Sequence, residues 1–464
     1  MKIEWFRSAT VGIRSEAGST ILCDPWMTDG AFLGSWFHFP PLEGFEYEEL
    51  LKRRWDAVYI SHFHADHFDR KFVAELARNQ PDCVAIIPRF AHNWLHRAVE
   101  NCGFSGNRLI TVESGESHQV GDLTAKIFTA DHCDPSVCGV SIPCHNQDPR
   151  MASFDSLAVF EADGTTILNA NDALAIKSVT SVLPQIGPVD LLMGHYGGAG
   201  PFPQCFSDLS DQEKTAKARL LAEGFLNRLA MAAKAVKARY VMPFAGQYVL
   251  AGRLASLNKY RSVVSLSEAV DWIGRATEST AIAMAPFSSF DISSGRAEKR
   301  WEEPSAEEID QYLAQISKKS FPYEKTAVNW PDAEAELRDA LEGVAAEYRR
   351  RLSTGEAPTS HRISISTPEV SGYVDFLDAE TVVEIGSLGE MTESETRLTC
   401  HANLLKGLIQ RVEGFSGFTP MHFNQAEIGS HFEWRRTGDF NEVVRCLNFM
   451  QVGSRRKLET VGRS

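Results

Sequence analysis

Residues 56–69 read Asp56-Ala57-Val58-Tyr59-Ile60-Ser61-His62-Phe63-His64-Ala65-Asp66-His67-Phe68-Asp69. Positions 56–60 have the compact apolar run of a short buried strand. That strand passes without a break into His62, His64, Asp66 and His67, a local excess of nitrogen and oxygen donors. His62 and His64 stand at alternate positions and can point the same way from an extended segment. Asp66 and His67 follow one turn on, where Phe68 reads as the start of a helix. Two ligand sets side by side suit a pair of metal ions better than one. The alternative is a polar, solvated turn, but four ligand-type side chains in six positions directly after a buried strand exceed what turn chemistry selects.

The rest of the chain sets the frame. At 464 residues it is long enough for two domains with sizeable cores. Hydrophobic content of 43% and charged content of 23% are those of a globular protein. A formal net charge of −14 argues against a general nucleic-acid or anionic-membrane surface. Met1 to Thr10 alternates like a strand and carries Glu4, so no signal peptide is expected, no apolar run reaches a membrane span, and the cytoplasm is the expected compartment. Nine cysteines without regular spacing fit a reducing compartment. The one dense cluster, Cys133, Cys138, Cys144 and His145, matches neither a C-x-x-C zinc pair nor the paired spacing of a Rieske centre, and reads as loop content.

Outward from the motif, strands are expected over 2–24 with a turn at 16–19, helices over 47–54 and 70–78, and a strand over 84–88. A helix over 90–101 carries His92 and His96 without an acidic partner on that face, so both read as surface or packing residues. Strands over 109–112, 118–120 and 123–129 lead to Ala130-Asp131-His132. A hairpin over 156–161 and 166–169 turns at Asp163-Gly164 and delivers Asn171-Asp172. A helix over 173–183, a strand over 189–193 ending in His195, a glycine-rich loop over 197–203, a long covering helix over 213–237 and a strand over 240–242 follow. Asp24 ends a strand beside Pro25, either as support for the site or as a simple Asx turn. Residues 301–464 read as a second unit, with a linker at 302–305, a helix over 333–351, strands near 363–366, 374–376 and 381–385, and a helix over 396–411.

The stretch His62-Phe63-His64-Ala65-Asp66-His67 resembles the signature of the metallo-β-lactamase superfamily. The resemblance implies an α/β fold, an αββα sandwich over residues 1–300 with its site at one edge, followed by a smaller α+β domain over 301–464. It implies His132 as a third histidine on the first metal, the alternative being a structural histidine. It implies Asp172 as a carboxylate bridging both ions, the alternative being a helix N-cap. Residues 422–431 faintly resemble a carboxy-terminal sterol-carrier-like domain, which would shield an apolar substrate or pair two copies as a homodimer. A plain packing domain is the preferred reading.

Cys23-Asp24-Pro25-Trp26-Met27, Ile167-Leu168-Asn169, Gly197-Gly198-Ala199 with Phe202-Pro203, and Pro243-Phe244-Ala245-Gly246 together resemble the metallo-β-lactamase portion of the CMP-N-acetylneuraminate hydroxylases. No Rieske motif is present, so sialic-acid specificity is not carried over and electrons would come from an external reductase or ferredoxin. The strand-end histidine that hydrolytic branches place last is replaced by Phe244-Ala245-Gly246. His195 then either supplies a nitrogen to the second metal or acts as a pocket acid or hydrogen-bond donor to substrate.

The expected metal set is His62, His64, Asp66, His67, His132, Asp172 and His195, with Asp66 and His195 as catalytic residues. Such a shell suits two ions of iron, with zinc or manganese as alternatives. The favoured function is a non-haem diiron oxygenase that hydroxylates a small-molecule metabolite with dioxygen. The alternative is a dizinc or dimanganese hydrolase of an ester, amide or phosphodiester. Loops 36–41 and 197–203 are expected to line the pocket.

Overall fold

A computed structural model describes residues 1–90, 93–129, 155–174, 176–353, 361–377, 380–410 and 423–437. Two β-sheets lie face to face. In order across the first are Arg296–Ala297, Ser288–Asp291, Lys2–Arg7, Thr10–Arg14, Thr20–Cys23, Ala57–Tyr59, Val84–Pro88 and Leu109–Val112. Across the second are Thr280–Ala281, Tyr240–Phe244, Leu191–His195, Thr165–Asn171, Ser156–Ala162, Leu123–Thr129 and Ser117–Val120.

The period-two alternation of these strands builds the layers. Ile3, Val11, Ile21, Tyr59 and Ile86 face inward and meet Ala125, Ile127, Phe160, Ile167 and Met193 from the other sheet. Their neighbours Leu22, Val58, Ile60 and Ile87 face outward, against Phe72, Leu76, Leu95 and Val99 of the helices Arg70–Asn79 and Trp94–Asn101. On the far side, Val159, Leu168 and Leu192 meet Leu226, Leu229 and Ile273 of the helices Asp211–Val236 and Leu266–Ala276. Central strands covered on both faces read as near-continuous apolar runs for this reason. Each fully buried Leu, Ile or Val contributes roughly 1.5–3 kcal/mol. The architecture is therefore the expected αββα sandwich.

Parallel pairing decides where loops emerge. Thr20–Cys23, Ala57–Tyr59 and Val84–Pro88 run parallel, as do Thr165–Asn171, Leu191–His195 and Tyr240–Phe244. Loops at the carboxyl ends of such strands collect at one edge. Those loops carry Asp24, His62 to His67, Asp172 and His195.

A third core lies beyond the sandwich. A five-stranded sheet, ordered Glu380–Ile385, Ser371–Leu377, His361–Ser366, Glu395–Thr399 and Glu433–Thr437, packs with the helices Ala333–Ser353 and Ala402–Gln410. Its apolar interior is shared with Trp26, Phe32, Trp36, Phe206, Tyr248 and Leu250 from the first 300 residues. Backbone hydrogen bonds join the two parts, Ser207 N to Trp434 O at 2.8 Å and Trp434 N to Cys205 O at 2.8 Å.

Four local expectations need correction. Phe68 does not open a helix: residues 64–68 form a turn in which Phe68 N bonds His64 O, and Asp69 caps a helix that begins at Arg70 by accepting from Phe72 N. The helix expected over 396–411 is a strand, Glu395–Thr399, followed by a helix, Ala402–Gln410, because Thr396 and Leu398 alternate into the third core. The helix expected from 90 begins at Trp94, and that expected from 173 begins at Ile176.

Candidate metal centre

The strand Ala57–Tyr59 releases the chain at Ser61, which is buried beneath Asp24. Asp24 is fully buried at φ 45°, and its Oδ1 accepts from Ser61 N at 2.7 Å. Its Oδ2 accepts from Ser61 Oγ at 2.8 Å and faces His67 Nδ1 at 3.0 Å. A carboxylate only accepts there, so the His67 proton sits on Nδ1 and Nε2 is the basic nitrogen. That Nε2 is buried and has no hydrogen-bond partner among the described residues. It lies 3.6 Å from Asp66 Oδ2 and 3.7 Å from Asp172 Oδ2.

The other rings follow the same logic. Ser61 Oγ, having donated to Asp24, accepts from His62 Nδ1 at 2.9 Å, which leaves Nε2 of His62 basic. His64 Nε2 donates to Asn424 Oδ1 at 3.1 Å, which leaves Nδ1 of His64 basic. Those two basic nitrogens stand 2.9 Å apart, and His62 Nε2 is 3.9 Å from Asp172 Oδ2. Two lone pairs at that distance repel unless a proton or a cation lies between them. His195 Nδ1 donates to Asn171 O at 3.0 Å and is 3.9 Å from Asp172 Oδ1.

His62, His67 and Asp172 form one compact group whose ligand atoms lie within 4.8 Å of one another. Asp66 adjoins His67, His64 adjoins His62, and His195 adjoins Asp172. The structure thus brings six of the seven residues expected as ligands to one place, and His132 lies outside the described residues, as does the cluster Cys133, Cys138, Cys144 and His145. Asp172 is the most exposed of the group, with 37% of its side chain open, and so marks the mouth. The helix after it begins only at Ile176.

Burial and mutual charge set the protonation of the cluster. Burial, reinforced by His67 and His64, holds the His62 pKa well below its usual value. Burial raises Asp66 to about 6 despite the pull of His67. For His67, burial opposes the charged form, but Asp66, Asp172 and the bond to Asp24 outweigh it and push the pKa well up. His195 is lowered, by burial first. A carboxyl forced toward neutrality, beside an imidazole whose buried Nε2 has no partner among the described residues, is a setting that a divalent cation would stabilise. Imidazole and carboxylate donors without sulfur fit iron, zinc or manganese.

Asp155 joins the site without any local sequence signal. Its Oδ1 is 3.6 Å from His62 Nδ1, and burial together with Asp172 raises its pKa well above the carboxylate range. Asn169 and Asn171 are buried on the same strand, and Asn169 Nδ2 and both side-chain amide atoms of Asn171 have no hydrogen-bond partner among the described residues. Of the loops expected to line a pocket, Trp36 is instead buried and stacked on Tyr248, ring centroids 3.4 Å apart. Gly198 sits by the site: an added Cβ would stand 2.4 Å from Phe225, whose ring packs edge-on to His195 at 5.5 Å. His96 Nδ1 lies 3.1 Å from Thr111 Oγ1, in packing rather than at the centre. His92 and His422 lie outside the described residues. No helix among the described residues is long and apolar enough to cross a membrane.

Over 252 residues the chain is 29% identical to a Mycobacterium tuberculosis protein named as a Rieske 2Fe-2S iron-sulfur protein, covering 53% of this chain and 44% of that one. Over 236 residues it is 26% identical to cytidine monophosphate-N-acetylneuraminic acid hydroxylase of Danio rerio, covering 49% of this chain and 35% of the relative. The chain spans less than half the length of these relatives. Among solved structures, CmlA, a diiron beta-hydroxylase from Streptomyces venezuelae, aligns with a TM-score of 0.41 at 15% identity, covering 64% of this chain and 54% of that one. Residues 2–223 match the model of the beta-lactamase superfamily domain, and the His-x-His-x-Asp-His motif at the sandwich edge lies within that match.

Proposed function

We propose that this protein is a dinuclear-metal oxygenase that hydroxylates a small metabolite, with electrons from a separate reductase or ferredoxin. The observation that carries the metal reading is the buried Nε2 of His67, which lies between Asp66 and Asp172 with no hydrogen-bond partner among the described residues. His62, His64 and His132 would hold one ion, Asp66, His67 and His195 the other, and Asp172 would touch both. Bound iron would supply dioxygen reduction, whereas bound zinc would supply a water activated near neutral pH. Ser61 and Asp24 orient the His62 and His67 rings through Nδ1, and the Asn171 carbonyl holds the His195 ring through its Nδ1. Asp66, buried beside His67, would accept a hydrogen bond from an incoming hydroxyl or water.

Two observations support oxygenation over hydrolysis. The strand Tyr240–Phe244, paired beside Leu191–His195, ends in the buried Phe244 where hydrolytic relatives place a further histidine. The relatives named as hydroxylases align across about half the chain. Hydrolysis is the second reading, favoured by the histidine and carboxylate donors, which suit zinc as well.

Metal content decides between them. Protein produced with iron and zinc both available should hold about two irons per chain that oxidise on exposure to dioxygen. About two zincs and no dioxygen chemistry would move the reading to an ester or phosphodiester hydrolase. His67→Ala and Asp172→Ala should each lose metal and activity together, and wild-type metal content in either variant would sink the assignment.

A further inference from the structure

Among the described residues, four histidines at the centre each have one ring nitrogen anchored by a hydrogen bond, and three of the four anchors belong to the sandwich. Ser61 anchors His62, Asp24 anchors His67 and the Asn171 carbonyl anchors His195. The fourth does not follow the pattern. Asn424 lies 360 residues beyond His64 in sequence, on the helix Phe423–Ile428 of the carboxy-terminal unit, and its Oδ1 stands 3.1 Å from His64 Nε2.

The surrounding contacts hold that helix in place. His431 Nε2 donates to Phe32 O at 2.8 Å, and Tyr323 Oη donates to His431 Nδ1 at 2.7 Å. Phe32 and Leu33 have φ of 51° and 61°, a backbone that bulky residues adopt only when their surroundings impose it. A Cβ on Gly429 would stand 2.8 Å from Phe32 O, so helix and loop meet backbone to backbone. The Phe32 ring in turn lies tilted against His64, centroids 6.0 Å apart.

We propose that Asn424 is a positioning residue for the metal centre: the carboxy-terminal unit supplies the acceptor that keeps the His64 proton on Nε2 and its Nδ1 turned to the metal. An imidazole whose outer nitrogen is anchored pays less to orient and presents one tautomer. Without the acceptor, His64 populates both tautomers and rotates about its ring bond. The inference rests on the reading of His64 as a metal ligand, which the test separates from the role of Asn424.

The experiment uses the full chain titrated with zinc(II), and with iron(II) under anaerobic conditions, against a chromophoric chelator. Asn424→Leu should weaken one of the two ions about 10–100-fold. Asn424→Asp, which keeps an acceptor oxygen, should stay close to wild type. In the zinc-loaded protein the 15N-histidine spectrum should show a slowly exchanging His64 Nε2–H in wild type and in Asn424→Asp, and lose it in Asn424→Leu. Asn424→Ala gives the same readout should the leucine variant fail to fold. Wild-type affinity and an intact Nε2–H in Asn424→Leu overturn the proposal. Equal weakening in Asn424→Leu and Asn424→Asp with the Nε2–H signal intact also overturns it, since that is loss of packing. His64→Ala distinguishes the two levels: two ions held at wild-type affinity by that variant would defeat the ligand reading itself, whereas loss of an ion there with no effect in Asn424→Leu defeats only the role of Asn424.

Discussion

Asp24 is the residue on which the motif rests. It is fully buried and takes hydrogen bonds from the Ser61 backbone, the Ser61 hydroxyl and the His67 ring. In the sequence it is equally a turn residue or a support, and its φ of 45° beside those three bonds shows that it is both. We predict that Asp24→Ala lowers affinity for the ion at His67 by about 10–100-fold in the same chelator titration. It should also cost about 1–3 kcal/mol for each buried donor left without a partner, read from urea unfolding of the metal-free protein. Unchanged metal affinity would reduce Asp24 to a turn former. Asp155 belongs to the same scale but was not legible, because a lone acidic residue before a strand looks like any surface carboxylate until the sheets bring His62 to 3.6 Å.

At the scale of elements, the long helix Asp211–Val236 covers the second sheet through Leu226, Leu229 and Ala233, and its Phe225 ring packs edge-on to His195. A capping box starts it: Ser210 accepts from Glu213 N while Glu213 accepts from Ser210 N at 2.8 Å. Ser210→Ala should cost about 1 kcal/mol and lower the thermal midpoint while leaving metal affinity unchanged. A fall in metal affinity without a fall in stability would show that the helix end reaches the site. Elements of this kind were readable from periodicity and caps. The segment 395–410 was not, since Thr396 to Thr399 carry little strand signal of their own and become a strand by pairing with His361–Ser366 and Glu433–Thr437.

At the scale of the whole molecule, His431 ties the carboxy-terminal unit to the loop beside the motif. Burial lowers its pKa to about 3, helped by the nearby Arg253 and opposed by its bond to Phe32 O. The groups that face it are the Phe32 carbonyl, Tyr323 and Arg253, the last held by Glu324 at 3.1 Å. The folded state therefore keeps His431 neutral while the unfolded chain takes up a proton below its ordinary value near 6.5. Stability is fully present above that pH and is lost as pH falls toward 3, by up to about 1.4 kcal/mol per pH unit. Chemical unfolding of the metal-free chain between pH 7.5 and 5 should show this slope, and His431→Gln should be less stable at pH 7.5 with a shallower decline. An identical slope in the variant would show that His431 does not contribute to it.

By itself, the sequence determined a run of strands and helices with a donor-rich loop at one strand end, because apolar periodicity and the spacing of His62, His64, Asp66 and His67 are local properties written in order along the chain, and the αββα sandwich followed from the family resemblance that this stretch carries. It also placed Asp172 and His195 at strand ends. Only the tertiary structure decided that these ends share one edge, which nitrogen of each ring faces inward, and that Asp155 and Asn424 belong to the site. Those facts depend on parallel pairing and on contacts between residues hundreds of positions apart, and hydrogen-bond acceptors for a buried ring are chosen by distance in space, which no local pattern encodes.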